Sequence, residues 1–237
     1  MKYRSVFDII GPIMIGPSSS HTAGAVRLAR VARGVLAATP GRAQITLYGS
    51  FAATARGHGT EVALTAGLLG MDPDDPHLRE AEKLARETGL RVEWRLADPI
   101  ETERLGLPPT SARLQLWPAA PAGEGSWGLM PPPVDVLGAS IGGGAIEIRE
   151  VNGFPVSFSA TQPTLLVFHV DRPGVVAKVT AELAQAGVNL SQMTLGRKAR
   201  GREALMVITT DEEITNALID GLQTLPDVSR VALVKPV

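Results

Sequence analysis

At 237 residues, 44% of them hydrophobic, the chain is long enough for two ordinary domains and apolar enough to bury a core in each. Its 23 Lys and Arg nearly balance 24 Asp and Glu, and it has only three Trp, two Tyr and five Phe, so neither a basic surface nor an aromatic platform for nucleic acid is expected. The absence of cysteine excludes disulfides, thiolate-held zinc and any iron–sulfur cluster ligated by this chain alone, which leaves a small ligand or a protein partner as the expected business of the chain.

The first ten residues lack the apolar core and cleavage site of a signal peptide, and no apolar run reaches 18 residues, so a cytoplasmic protein with no membrane role is expected. Next comes Gly16-Pro17-Ser18-Ser19-Ser20-His21-Thr22, directly ahead of a helix over 23–38 whose apolar side is made by Val26, Leu28, Ala29, Val31, Ala32, Val35 and Leu36. Hydroxyls at a helix start serve as caps or, with the exposed N–H groups and the helix dipole, as a cradle for a carboxylate or phosphate. His21 adds a proton that exchanges near neutral pH. Arg27, Arg30 and Arg33 run along the other face of the helix and read as solvated charge or as an interface.

A strand is expected over Gln44 to Tyr48. The second polar segment, Arg56-Gly57-His58-Gly59-Thr60, then leads into a helix from Thr60 to Leu69 that Gly70 stops. Asp75-Pro76 opens a further helix, through Leu78, Ala81, Leu84 and Ala85, to Gly89. Arg91 to Leu96 and Ala112 to Trp117 alternate like half-buried strands, and the Pro- and Gly-rich stretch Pro118 to Pro133 is a loop or a flap. Strands are again expected at Val134 to Leu137 and Ala145 to Glu150. Between them Gly138-Ala139-Ser140-Ile141-Gly142-Gly143-Gly144 either opens backbone to a ligand or packs closely on a neighbouring strand. Asn152-Gly153 signals a hairpin turn.

Residues 160–163 read as a linker between a domain over 1–159 and one over 164–237. The latter alternates strand Leu165 to Val170, helix Gly174 to Ala186, strand Val188 to Thr194, strand Ala204 to Thr209, a helix from Glu212 to Leu222 capped by Asp211, and strand Val231 to Val234. This βαββαβ order is ferredoxin-like, and the chain as a whole is of the α/β (α+β) class, with a mixed α/β first domain.

The second domain resembles the ACT domain, a regulatory module that commonly binds an amino acid, on the turn His169-Val170-Asp171-Arg172-Pro173-Gly174 and the segment Gly187-Val188-Asn189-Leu190-Ser191. Pro173 has no N–H and Gly174 no side chain, so the turn bares its backbone to a small zwitterion. The resemblance implies an effector site at Asp171, Pro173, Gly174 and Asn189, and a homodimer through ACT sheet edges. With the three polar segments ahead of it, the chain is similar over nearly its whole length to the β subunit of the bacterial iron–sulfur-dependent L-serine dehydratase. In that family the first domain is similar to the allosteric substrate-binding domain of some phosphoglycerate dehydrogenases. A separate α subunit or fused α domain carries a 4Fe-4S cluster whose iron acts as Lewis acid on the serine hydroxyl. L-Serine loses water to give an aminoacrylate, which tautomerises and hydrolyses to pyruvate and ammonia.

On this resemblance Ser18, Ser19, Ser20 and Thr22 are expected to hold the substrate carboxylate, with Gly59, Thr60, Ser140, Gly142, Gly143 and Gly144 as further substrate contacts. His21 and His58 are the expected catalytic residues, transferring a proton or orienting substrate at a site completed by the α subunit. Glu61 stands where many relatives are expected to have Asp, which keeps the carboxylate. The alternative is a non-catalytic, amino-acid-binding regulatory subunit.

Overall fold

The computed structural model describes residues 12–55, 59–120 and 131–237. His58, Arg56, Gly57, the first eleven residues and most of the proline-rich stretch, 121–130, lie outside them. Ser18 to Thr22 enter helix α1 (Ala25–Leu36) through a π-helical turn, Ser19–Gly24, rather than through an ordinary first turn. The side chain of Ser18 accepts from His21 N and its carbonyl from Thr22 N, so the expected N-cap is present, while the wider turn inserts the histidine segment before the helix proper.

The first sheet follows from alternation. Ala43, Ile45 and Leu47 of β1 (Pro40–Leu47) and Ala112, Leu114 and Leu116 of β3 (Ser111–Pro118) are all fully buried on the face that α1 covers. Helix α2 (Gly49–Ala53) and helix α3 (Thr60–Leu69) follow β1, and α3 ends at Gly70 with φ +90° as expected. Asp75-Pro76 does not open the next helix. The Asp75 carboxylate accepts from His77 N at 2.8 Å, a local turn that defers helix formation to a 3-10 turn at Leu78–Glu80 and to α4 (Ala81–Glu87). Strand β2 (Arg91–Leu96) comes next, then α5 (Pro99–Arg104), which starts on an Asp98 cap with proline at its first position. Strands β4 (Val134–Gly142), β5 (Ala145–Val151) and β6 (Phe154–Phe158) complete a sheet of order β2-β1-β3-β4-β5-β6. The β1–β2 pair is parallel, and the pairs β1–β3, β3–β4 and β4–β5 are antiparallel. Asn152 and Gly153 take φ of +51° and +78°, the pair of positive values that a two-residue hairpin requires.

The chain divides into two units, Met1–Asn152 with Ser157–Ser159, and Gly153–Val156 with Ala160–Val237. In the second, β7 (Thr164–Val170), α6 (Val175–Gln185), β8 (Leu190–Arg197), β9 (Glu203–Thr210), α7 (Asn216–Gln223) and β10 (Val228–Val234) give the expected βαββαβ order, with the sheet arranged β10-β7-β9-β8. Leu165, Val167, Met206 and Ile208 pack under Val175, Val179, Leu183 and Leu222 of the helices. Asp211 does not cap α7. Its carboxylate accepts from Asn189 and Gln162, and Thr215 caps the helix instead, accepting from Leu218 N, so α7 begins four residues later than expected.

Candidate functional site

The N-terminal ends of α1 and α3 bring two of the three polar segments to one place. A cleft of about 500 Å³ is lined by Gly16, Pro17 and Thr22 from the first segment, Gly59 from the second, and Val62, Leu78 and Arg79 beyond it. Gly59 precedes α3 with φ +71°, and among the described residues no atom beyond its chain neighbours lies within 4 Å of where a side chain would begin. Helix α3 can run close beside α1 because Gly67 offers no side chain at the crossing.

Between Pro17 and Thr22 of the lining, His21 Nδ1 lies 3.1 Å from Ser20 Oγ and 3.4 Å from Ser18 Oγ, and the two hydroxyls are 3.3 Å apart. The imidazole meets the ring of Phe51, on α2, edge to face at 5.1 Å between centroids. Ser18, Ser19, Ser20 and His21 are half-buried and held in place by their own contacts, and the Nε2 atom of His21 is itself buried. The cluster can bind an anion through hydroxyls at a helix start and can exchange a proton at the imidazole.

Other expected contacts are placed differently. Thr22 is 2% exposed, at the wall of the cleft, whereas Ser140, 2% exposed, and Thr60, fully buried, turn their hydroxyls to the interior. The hydroxyls of Ser140 and Thr60 have no hydrogen-bond partner among the described residues. Ser140 packs on Gly24, whose lack of a side chain allows the contact. Gly143 and Gly144, with φ of +59° and +79°, are the turn of the β4–β5 hairpin, and Gly142, at +101°, borders the bulge before it. The glycine run is thus required by a tight turn, and a side chain at Gly144 would strike Pro12 and Arg27.

Arg27, Arg30 and Arg33 are half-buried rather than fully solvated. Arg27 Nη1 donates to the Gly144 carbonyl at 2.7 Å and ties the hairpin to α1, and burial holds its guanidinium below its usual pKa. Burial, with Arg27 and Arg33 alongside, does the same to Arg30, which is ion-paired to Asp72. Nothing in the sequence but the three-residue spacing of these arginines pointed to this role.

In the second unit Asp171 accepts from Gly201 N at 3.1 Å and Arg197 at 3.2 Å, contacts that hold its carboxyl below the usual carboxylate range, the Gly201 N–H contributing most. Pro173 and Gly174 are exposed beside it, with Gly174 at φ +90°. Asn189 stands at the opposite end of the sheet, bonded to Asp211 and Glu212, because β7 and β8 run the same way on either side of β9. One chain therefore does not bring the four expected effector residues together.

The family profile described as "Serine dehydratase beta chain" matches residues 5–103, and that of the ACT domain matches residues 163–227. The chain is 42% identical to the probable L-serine dehydratase beta chain of Bacillus subtilis, over 98% of each chain, and 33% identical to the L-serine dehydratase beta chain of Peptoniphilus asaccharolyticus, over 92% of each. It is also 31% identical over 99 residues to a D-3-phosphoglycerate dehydrogenase of Methanocaldococcus jannaschii, a match that spans 42% of this chain and 19% of that one.

Proposed function

Since the chain belongs to the serine dehydratase beta-chain family and carries an ACT domain, we propose that it completes, together with an α subunit, a cytoplasmic active site that deaminates L-serine to pyruvate and ammonia. The reading rests on the Ser18, Ser20 and His21 cluster beside a cleft lined by both Thr22 and Gly59. Ser18, Ser19 and Ser20, at the positive end of the α1 dipole, suit the substrate carboxylate. His21, oriented by the two hydroxyls and by Phe51, transfers a proton or positions the substrate, and His58 remains part of the same expectation.

The iron–sulfur cluster of the family chemistry does not fit this chain. There is no cysteine, and among the described residues no group of three His, Asp or Glu side chains could hold a metal ion. In this reading the α subunit holds the cluster, and the β chain contributes binding and proton handling.

The ACT domain is read as an amino-acid sensor that pairs through the free edge of β8, where Met193 and Leu195 are exposed. Antiparallel pairing of two β8 strands would set the Asn189 end of one chain beside the Asp171 end of the other, which would assemble the effector set that a single chain leaves apart.

Pyruvate formation from L-serine under anaerobic conditions is the test, with this chain alone, a cluster-loaded α subunit alone, and the mixture. Activity is expected only in the mixture, with H21A lowering kcat by about 10²- to 10⁴-fold. Full activity of the α subunit alone, or an H21A variant that keeps kcat and loses only its response to serine concentration, would favour the regulatory subunit instead.

A further inference from the structure

Strand β2 is an end strand of the first unit's sheet, with no strand beyond it among the described residues. Ala97 N donates to Leu47 O of β1, and backbone groups alternate in direction along a strand, so the N–H and C=O groups of Val92, Trp94 and Leu96 point away from β1. No hydrogen bond to these outward groups occurs among the described residues. Leu96 is 53% exposed, and Val92 and Trp94 are half-buried, so this edge is apolar as well as open.

We propose that the β2 edge pairs antiparallel with β2 of a second copy of this chain, Trp94 opposite Trp94, so that the two sheets become one. Three independent features select that register. The outward backbone groups of Val92, Trp94 and Leu96 then face those of Leu96, Trp94 and Val92 in the other copy, and every facing pair can exchange both of its hydrogen bonds. Apolar Val92 lies across from apolar Leu96 on one face.

On the other face Glu93 lies across from Arg95. Glu93 is already paired with Arg42, and Arg95 with Glu101, so the join creates an alternating row of Arg42, Glu93, then Arg95 and Glu101 of the second copy, with no like charges adjacent. A slip of one residue would set the two copies' side chains on opposite faces. A slip of two, with Val92 or Leu96 across from Trp94, would set Glu93 against Glu93 or Arg95 against Arg95, like charge on like charge.

The cysteine-free chain makes the test direct, because any thiol introduced is the only one. In the proposed register the two Trp94 Cα atoms are about 5.5 Å apart, within disulfide reach. The two Leu96 Cα atoms are about 14 Å apart, four residues along and one strand spacing across. Under mild oxidation W94C should give a covalent species of twice the 24.9 kDa chain, at least about tenfold faster than L96C. E93C mixed with R95C, both at exposed positions that leave the core untouched, should cross-link faster than either alone.

In sedimentation, E93R and R95E should each weaken self-association and the double variant E93R/R95E should restore it. The double swap also places like charges against Arg42 and Glu101 within each chain, so a purely intramolecular role for these residues would make it the worst of the three. W94C cross-linking no faster than L96C, with the E93C and R95C mixture equally slow and circular dichroism unchanged, overturns the pairing. So does cross-linking of W94C to the α subunit rather than to a second copy when both are present. Neither result bears on the serine dehydratase reading, which the pyruvate assay tests separately.

Discussion

Gly67→Ala tests whether the cleft depends on the close crossing of α1 and α3. A methyl group at Gly67 would lie 2.7 Å from Ala29 Cβ and nearer still to the Val26 carbonyl oxygen. Carbon atoms prefer about 3.5–4.0 Å, so the helices must part by about 1 Å at the crossing. Overpacking of this kind costs about 1–3 kcal/mol, while replacing a mid-helix glycine by alanine contributes roughly 0.5–1 kcal/mol in the other direction. The net is a loss of about 1 kcal/mol, or a Tm lower by about 2–4 °C for a unit of this size. Because α1 leads from Thr22 and α3 from Gly59, the same displacement should raise KM for serine more than it lowers kcat. Calorimetry and steady-state pyruvate kinetics measure both. A raised Tm would mean that helix propensity alone governs the site, and would refute the crossing geometry.

Arg27→Met keeps the buried stem but removes the donor to Gly144 O, so amide exchange at Gly143 to Ala145 should accelerate with a net loss of about 1 kcal/mol; unchanged exchange would show that the arginine does not hold the hairpin. T215A should cost about 1 kcal/mol through the lost cap of α7, while D211A should leave the helix intact and loosen the Asn189 end, a contrast that chemical-shift mapping reads directly. Asp171 is ordinarily a group of pKa 3.8 and is held lower in the folded chain, so its contacts stabilise fully above that value and lose their effect as pH falls through the folded pKa. The Tm difference between the native chain and D171N should therefore be constant near neutral pH and shrink below about pH 4; a difference that grows on acidification would contradict the Gly201 and Arg197 contacts.

Local chemistry made most elements legible. Helix Thr60–Leu69 and its Gly70 stop, strand Arg91–Leu96 and the Asn152-Gly153 turn follow from period, capping and the φ values that only certain residues tolerate. The errors fall where two local signals compete. Asp75 and Asp211 are both plausible caps, yet each bonds a different group, and only the folded surroundings decide which oxygen meets which N–H. Helix α5 was missed although Asp98-Pro99-Ile100-Glu101 carries a cap and an N1 proline, because at six residues it shows no apolar period.

The motifs in the candidate site were visible as residue types: Ser18, Ser20 and His21 within one turn, Gly59 before a helix, and glycines around Ser140. Their grouping was not, because it depends on contacts between positions far apart in the chain. By itself the sequence determined two domains' worth of elements, a ferredoxin-like second half and a chain with no thiol ligand, since propensity, turn chemistry and composition act over a few residues at a time. Only the tertiary structure decided that Thr22 and Gly59 share a cleft, that Gly144 is bound by Arg27, and that Asp171 and Asn189 stand at opposite ends of a sheet, since strand order and helix crossing are set by the packing of distant side chains.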